Sequence, residues 1–214
     1  MTTPTCGDDL FTRSVSKLGR MIAWATRGKS EGPTLATHQG KFFDCDRLVE
    51  AHWPRVKYTA WSQRNIEMTI DGAEWCIVSP CRPFDLTERE KIQDTLAESV
   101  GWRYSCLELP LQLLDGMIAK RRKQPRRGYD VILFRRLGRL WKTGVICSKT
   151  ANRADIAIGR VPKWLEYGAP DDTWDFKISG AGAGQWYIKD HSPGWLLPRF
   201  DGATMLRYGA MRTA

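Results

Sequence analysis

Apolar residues recur every three or four positions in two segments of the chain. The segment 12–27 carries such a stripe, which predicts a helix with Thr12 or Ser14 as its N-cap. A second stripe follows Thr87-Glu-Arg-Glu90, where a threonine and a glutamate three residues apart predict a capping box and a helix that ends near Gly101. Both patterns indicate amphipathic helices that bury one face against a core.

Short apolar runs bounded by turn residues predict the strands. The segments 35–42 and 47–53 flank a polar turn at Asp44-Cys45-Asp46, so we expect them to pair as a hairpin. Residues 75–78 predict a further strand, and residues 130–133 predict a short buried one.

The remaining segments predict two more helices and an irregular C-terminal region. Residues 105–120 and 147–158 have helical patterns. Residues 159–214 are rich in Gly, Pro and Trp, which is typical of loops and short strands. Since no repeat or linker interrupts the chain, we expect a single domain over 1–214, with a core at about 7–158 and the C-terminal extension packed on it.

The excess of positive over negative charge is confined to one segment. The chain of 214 residues has a net charge of +9, and residues 117–142 hold ten Lys or Arg and one Asp. Such a patch suits nucleic acid, an anionic cell-surface polymer or a lipid surface, and the alternative is a solvated loop. The residues expected to dock an anionic polymer are Lys120, Arg121, Arg122, Lys123, Arg126 and Arg127.

Hydropathy and cysteine spacing argue against a membrane-spanning protein, a protein with a signal peptide and a disulfide-linked fold. No apolar run reaches the roughly 18 residues of a membrane span, and no signal peptide opens the sequence. We therefore expect synthesis in the cytoplasm, followed by virion association or export by a route other than the general secretory one. The six cysteines are irregularly spaced and form no C-x-x-C, so free thiols are favoured, and no metal site is predicted.

Cys147 is the candidate nucleophile. It follows the short apolar run at 144–146 and opens the helix predicted for 147–158. The N–H groups and the dipole of a helix N-terminus stabilise a thiolate, which makes a thiol there reactive. The alternative is a buried cysteine that acts only as a small hydrophobic residue.

The predicted hairpin offers a base for this thiol. If the turn is centred on Asp44, cross-strand partners have residue numbers that add to 88, so His38 lies opposite Glu50. Opposed Cβ atoms are about 4.5–5.5 Å apart, and a carboxylate at that distance can orient an imidazole base. An ordinary polar pair is the alternative, and His52, on the same strand face as Glu50, is an alternative base.

The order of these segments resembles a known enzyme superfamily. The residues that carry the resemblance are Gly7-Asp8-Asp9-Leu10-Phe11, Thr37-His38-Gln39-Gly40, Leu48-Val49-Glu50-Ala51, Gly101-Trp102-Arg103-Tyr104 and Ile146-Cys147-Ser148. They are similar to the circularly permuted branch of the papain-like cysteine hydrolases, the NlpC-type superfamily that includes lecithin–retinol acyltransferase relatives. The chain departs from that pattern at Gln39, where the family has an apolar residue, and in the basic insertion at 120–127.

The resemblance implies an α+β fold with a permuted papain-like core, in which an antiparallel sheet packs against the nucleophile helix and flanking helices. It implies a Cys147 nucleophile, a His38 base and an orienting Glu50, with Tyr104 and Ser148 at the substrate. The reaction would be hydrolysis of a peptide or another acyl substrate without a cofactor, and peptides of the bacterial cell wall are the first choice.

A second class of function stays open. A basic, Trp-rich protein can also bind nucleic acid or another anionic polymer, or form part of a virion, without catalysis. In that case Cys147 is only a buried side chain, and the papain-like scaffold carries the basic segment 117–142.

Overall fold

The computed structural model describes residues 3–17, 38–80, 82–105, 114, 147–159, 186–193 and 212–213. These residues contain seven strands and three helices. The strands are β1 (Asp9–Arg13), β2 (His38–Phe42), β3 (Arg47–Ala51), β4 (Val56–Ala60), β5 (Glu74–Pro80), β6 (Trp186–His191) and β7 (Arg212–Thr213). The helices are α1 (Trp61–Ile70), α2 (Leu86–Ser99) and α3 (Cys147–Ala157).

All seven strands form one sheet in the order β4-β3-β2-β1-β5-β6-β7. The first six strands of that order are antiparallel to their neighbours, and β7 is parallel to β6. The predicted combination of an antiparallel sheet with packed helices is therefore confirmed. Among the described helices, none is long and apolar enough to cross a membrane.

Alternate side chains of the strands form two separate clusters, one on each face of the sheet. We name the two faces after the helices that cover them, the α1 face and the α3 face. The α1 face contains Leu10, Phe42, Leu48, Trp75 and Ile77, packed against Met68 of α1. The α3 face contains Phe11, Val49, Ala51, Val56, Cys76 and Val78, packed against Ile92 and Leu96 of α2 and Cys147 and Ala154 of α3.

The hairpin of β2 and β3 has a different register from the predicted one. Gly40, and not His38, lies opposite Glu50. The carboxylate of Asp44 accepts the N–H groups of Asp46 and Arg47 at 2.9 and 2.7 Å, which centres the turn on the following residue. The prediction was wrong by two residues, and because side chains alternate with a period of two, His38 and Glu50 still share a face.

The predicted helix caps at Thr12 and Thr87 also need correction. Thr12 lies in β1, since it pairs with β2 and β5, so it cannot cap a helix. The alternative cap, Ser14, follows β1, and residues 18–37 of the predicted helix lie outside the described part of the chain. The N-cap of helix α2 lies two residues before the predicted one, Thr87. Asp85 is its N-cap, because its carboxylate accepts the N–H of Glu88 at 2.8 Å and completes a capping box. The helix ends at Ser99, close to the predicted Gly101.

Some elements were not predicted, and some predictions fall outside the described residues. Strand β4 and helix α1 follow β3 directly, and the sequence pattern did not indicate either. Strand β6 lies in the predicted C-terminal extension and pairs with β5. The predicted helix at 105–120, apart from two described positions, and the strand at 130–133 lie outside the described residues.

Candidate active site

A histidine and a glutamate are hydrogen-bonded at the beginning of β2. The distance from His38 Nε2 to Glu50 Oε1 is 2.9 Å. The Glu50 side chain is fully buried, and that of His38 is 17% exposed. Glu50 reaches His38 diagonally because its direct partner is Gly40. A Cβ at that glycine would lie 2.8 Å from Glu50 Cγ, so the absence of a side chain there makes room for the glutamate.

The charges of this pair fix the tautomer of the histidine. Burial alone would raise the pKa of Glu50, but its contacts with His38 and His52 outweigh burial and hold the pKa well below the usual range. Burial lowers the pKa of His38 despite the attraction of Glu50. An ionised carboxylate only accepts hydrogen bonds, so Nε2 of His38 carries the proton and Nδ1 keeps a lone pair. Nδ1 is thus the ring nitrogen that is left to accept a proton.

Two further side chains surround the Glu50 carboxylate. His52 Nε2 lies 3.4 Å from Glu50 Oε2, and the rings of His52 and His38 are 4.7 Å apart between centroids. Arg64 of α1 donates from Nε to Glu50 Oε1 at 3.3 Å. Both histidines therefore contact the same acid. Arg64 was not predicted, because the sequence pattern did not indicate the helix that carries it.

Cys147 is the first residue of α3 and is 7% exposed. It belongs to the cluster of the α3 face, together with Val49 and Ala51. These two residues flank Glu50 along β3, so their side chains point to the opposite face of the sheet. The structure therefore brings His38 and Glu50 together on the α1 face and places the thiol of Cys147 on the α3 face.

A buried ionic cluster joins α3 to the sheet. Lys41 is fully buried, and its Nζ lies 2.9 Å from Asp9 Oδ1 and 3.1 Å from Asp155 Oδ1 of α3. Burial raises the pKa of Asp9 to about 7 against the pull of Lys41. Burial would lower the pKa of Lys41, but Asp155 and Asp9 outweigh it and raise the pKa above its usual value. Sequence reasoning missed this cluster, although a lysine in a predicted strand, directly before Phe42 and Phe43, was a visible signal.

Of the other predicted site residues, Tyr104 and Ser148 lie in the described part of the chain. Tyr104 is half-buried against the cluster that contains Cys147, and its N–H donates to the carbonyl of Pro54 at 2.9 Å. The backbone of Ser148 lies in α3. The six predicted docking residues, Lys120, Arg121, Arg122, Lys123, Arg126 and Arg127, lie outside the described part of the chain.

Comparison with known proteins gives little further information. No protein-family model matches the chain, and no curated protein matches it. A solved structure that does match is that of the metalloprotein yiiX from Escherichia coli O157:H7 (DUF1105), with 20% sequence identity and a TM-score of 0.39. The alignment covers 49% of this chain and 54% of that one, so the chain spans about half the length of that protein. A TM-score this low assigns neither fold nor function.

Proposed function

We propose that this protein is a cysteine-dependent acyl hydrolase with a permuted papain-like core. Cys147 is the nucleophile, His38 is the base and Glu50 orients it. The observation that carries the proposal is the 2.9 Å hydrogen bond between His38 Nε2 and Glu50 Oε1. A buried, ionised carboxylate that holds an imidazole with its second nitrogen open is the arrangement that activates thiol nucleophiles.

The residues have these roles in the reaction. Nδ1 of His38 takes the thiol proton of Cys147, and the sulfur attacks the acyl carbonyl to form a tetrahedral intermediate. The backbone N–H of Cys147, at the start of α3, is a donor for the oxyanion. The leaving amine or alcohol takes the proton from His38, and water then hydrolyses the thioester with His38 again as base.

The proposal makes a specific geometric demand on Cys147. Asp155 contacts Lys41, and Cys147 lies eight residues earlier in α3, about 12 Å away along the helix axis. His38 lies three residues before Lys41, about 10 Å away along the strand. Cys147 also shares a cluster with Ala51, next to His52. The proposal therefore requires that α3 bring the thiol to the end of the sheet where β2 begins, within reach of Nδ1, although His38 lies on the α1 face and Cys147 on the α3 face.

The substrate class follows from the resemblance and from charge. Peptides of the bacterial cell wall are the proposed substrate, and the basic segment 117–142, with ten basic residues and one acidic, would hold the anionic polymer that surrounds them. Tyr104, which packs against the cluster containing Cys147, would contact the substrate.

Alkylation of each cysteine tests the proposed nucleophile. Cys147 should react with iodoacetamide faster than the other five cysteines at mildly acidic pH, because a base and a helix N-terminus favour its thiolate. His38→Ala should slow this reaction, and His191→Ala is the matched control, since His191 lies on β6 away from Glu50. Peptide mapping by mass spectrometry gives the six rates. Equal rates for all cysteines, or no effect of His38→Ala, would reject the proposal.

The position of Cys147 on the α3 face favours a second candidate, a binding protein without catalysis. In that case an anionic polymer should bind with an affinity that falls steeply as salt rises. Replacement of Lys120, Arg121, Arg122, Lys123, Arg126 and Arg127 by Gln should abolish this binding. Cys147→Ala should change nothing, and no turnover of peptide, ester or thioester substrates should be detected.

A further inference from the structure

We propose that His38, Glu50 and His52 bind one divalent transition-metal ion such as Zn²⁺, and that the bound ion removes His38 from its role as a base. One ligand atom from each residue lies within 4.8 Å of the other two. The binding site depends only on this geometry, and the inhibitory effect rests on the proposed function.

The ligand set and its spacing suit a metal of this class. Two imidazoles and one carboxylate are ligands that Zn²⁺ takes, and three protein ligands leave one position of a tetrahedron open. With bonds of about 2.0–2.1 Å, neighbouring ligand atoms of a tetrahedral ion are about 3.3 Å apart. Glu50 Oε1 lies 2.9 Å from His38 Nε2, and Glu50 Oε2 lies 3.4 Å from His52 Nε2. Small side-chain movements therefore bring the three groups to bonding distance.

The carboxylate also has an unused acceptor. Within the described residues, Glu50 Oε2 is buried and accepts no hydrogen bond. His52 Nε2 lies 3.4 Å from this oxygen, farther than in the usual N–H···O hydrogen bond. A buried acceptor of this kind is costly, and a metal ion between Glu50 and the two rings would satisfy it.

The positive charge of Arg64 disfavours a bound cation, so the proposal predicts the direction in which its removal changes metal affinity. Its Nε lies 3.3 Å from Glu50 Oε1, so its positive charge competes with a cation for the same carboxylate. Arg64→Gln removes the charge and keeps a hydrogen-bond donor of similar reach. This variant should therefore bind the metal more tightly than the native chain.

Metal binding and base catalysis use the histidine in incompatible ways. In the hydrolase, Nε2 of His38 carries a proton toward Glu50 and Nδ1 is the base. In the metal form Nε2 donates its lone pair to the ion, and the proton of the neutral ring moves to Nδ1. A ring with a proton on Nδ1 cannot accept one from a thiol, so the ion inhibits the hydrolase.

The first experiment titrates Co²⁺ or Zn²⁺ into the metal-free full chain and follows Co²⁺ absorption, or Zn²⁺ in competition with a chromogenic chelator. We expect one ion per chain at this cluster. His38→Asn, His52→Asn and Glu50→Gln should each weaken binding by more than about 100-fold, since even an outer-sphere partner is worth 10- to 100-fold. Arg64→Gln should strengthen it by about 10-fold, because one positive charge beside the bound cation is removed. His191→Asn and Cys45→Ser are the matched controls and should leave it unchanged.

A second experiment needs no variant. The chain has three histidines, so isotope-labelled histidine gives three ring signals, and zinc should shift the Nε2 resonances of two and leave that of His191 in place. Binding that survives the loss of His38 and His52, or that is lost with a cysteine, overturns the site. A shift of the His191 signal alone also overturns it.

The two proposals can fail separately. If the metal binds as expected but Cys147 alkylation does not depend on His38, the hydrolase fails and the metal site stands. If alkylation depends on His38 and no ion binds at the cluster, the metal site fails and the hydrolase stands. If both hold, zinc at saturating concentration should slow Cys147 alkylation to the rate of the His38→Ala variant.

Discussion

Replacement of Gly40 by alanine should disturb the site through a single methyl group. A Cβ at this position would lie 2.8 Å from Glu50 Cγ, 3.1 Å from Leu48 Cδ1 and 3.3 Å from Glu50 Oε1. The first of these distances is shorter than real Cβ contacts, so the glutamate has to move. Glu50 is fully buried, and its carboxylate cannot move far without lengthening the contact with His38.

The expected cost can be estimated from two opposing effects. An added methyl group in a well-packed interior costs about 1–3 kcal/mol. Where the backbone tolerates it, exchange of glycine for alanine stabilises a protein by about 0.4–1 kcal/mol through the unfolded chain. The steric cost is the larger, so Gly40→Ala should lower the free energy of unfolding by about 1–2 kcal/mol. Metal affinity, and the effect of His38 on Cys147 alkylation, should fall with it.

A double-mutant cycle with Glu50→Ala identifies the clash. Urea unfolding of the native chain, both single variants and the double variant gives the coupling energy between the two positions. Truncation of Glu50 removes two of the three nearest contacts of the new methyl group and leaves Leu48 Cδ1, at a distance of 3.1 Å that a small shift relieves. Gly40→Ala should therefore cost less in the Glu50→Ala background. Equal costs in both backgrounds would refute the steric argument.

Three further predictions concern the ionic cluster and the cap of α2, each measured by urea unfolding. Lys41→Met removes the ammonium that Asp9 and Asp155 contact and should cost about 3–5 kcal/mol; a loss below about 1 kcal/mol would contradict the role of the cluster. Since burial raises the pKa of Asp9 to about 7 from 3.8, the folded chain binds more protons in that window and loses stability as pH rises through it. Asp9→Asn should therefore gain stability relative to the native chain between about pH 4 and pH 7, and a constant difference would contradict the shift. Asp85→Ala should cost about 1 kcal/mol and the control Thr87→Ala much less; equal costs would contradict the cap.

The sequence predicted the residues of the His38–Glu50 pair for a reason that survives the error in register. The period of two along a strand fixes the face of each side chain, and a shift of two residues preserves it. The turn set the actual register, because the Asp44 carboxylate binds two N–H groups that follow it. A register counted from the midpoint of the polar turn takes no account of these two hydrogen bonds.

The sequence pattern could not predict on which face of the sheet Cys147 lies. A pattern of apolar residues predicts a helix at 147–158, and α3 spans Cys147–Ala157. Which face of the sheet receives that helix depends on contacts between distant segments, here Lys41 of β2 with Asp155 of α3. The approach of His52 to both His38 and Glu50 likewise depends on the folded hairpin; the sequence indicated only that His52 and Glu50 share a strand face.

The alternation of residues along β2 connects the two polar systems of the molecule. His38 and Gly40 face the α1 side and form the site with Glu50, while Lys41 faces the α3 side and holds α3 through Asp155. A buried charge at Lys41 is costly unless its partners stay in place, so the position of α3 relative to β2 is fixed by the same strand that carries His38. The ionic cluster therefore sets how far Cys147 is from the end of β2, and loosening it should alter the reactivity of the thiol before it alters the His38–Glu50 pair.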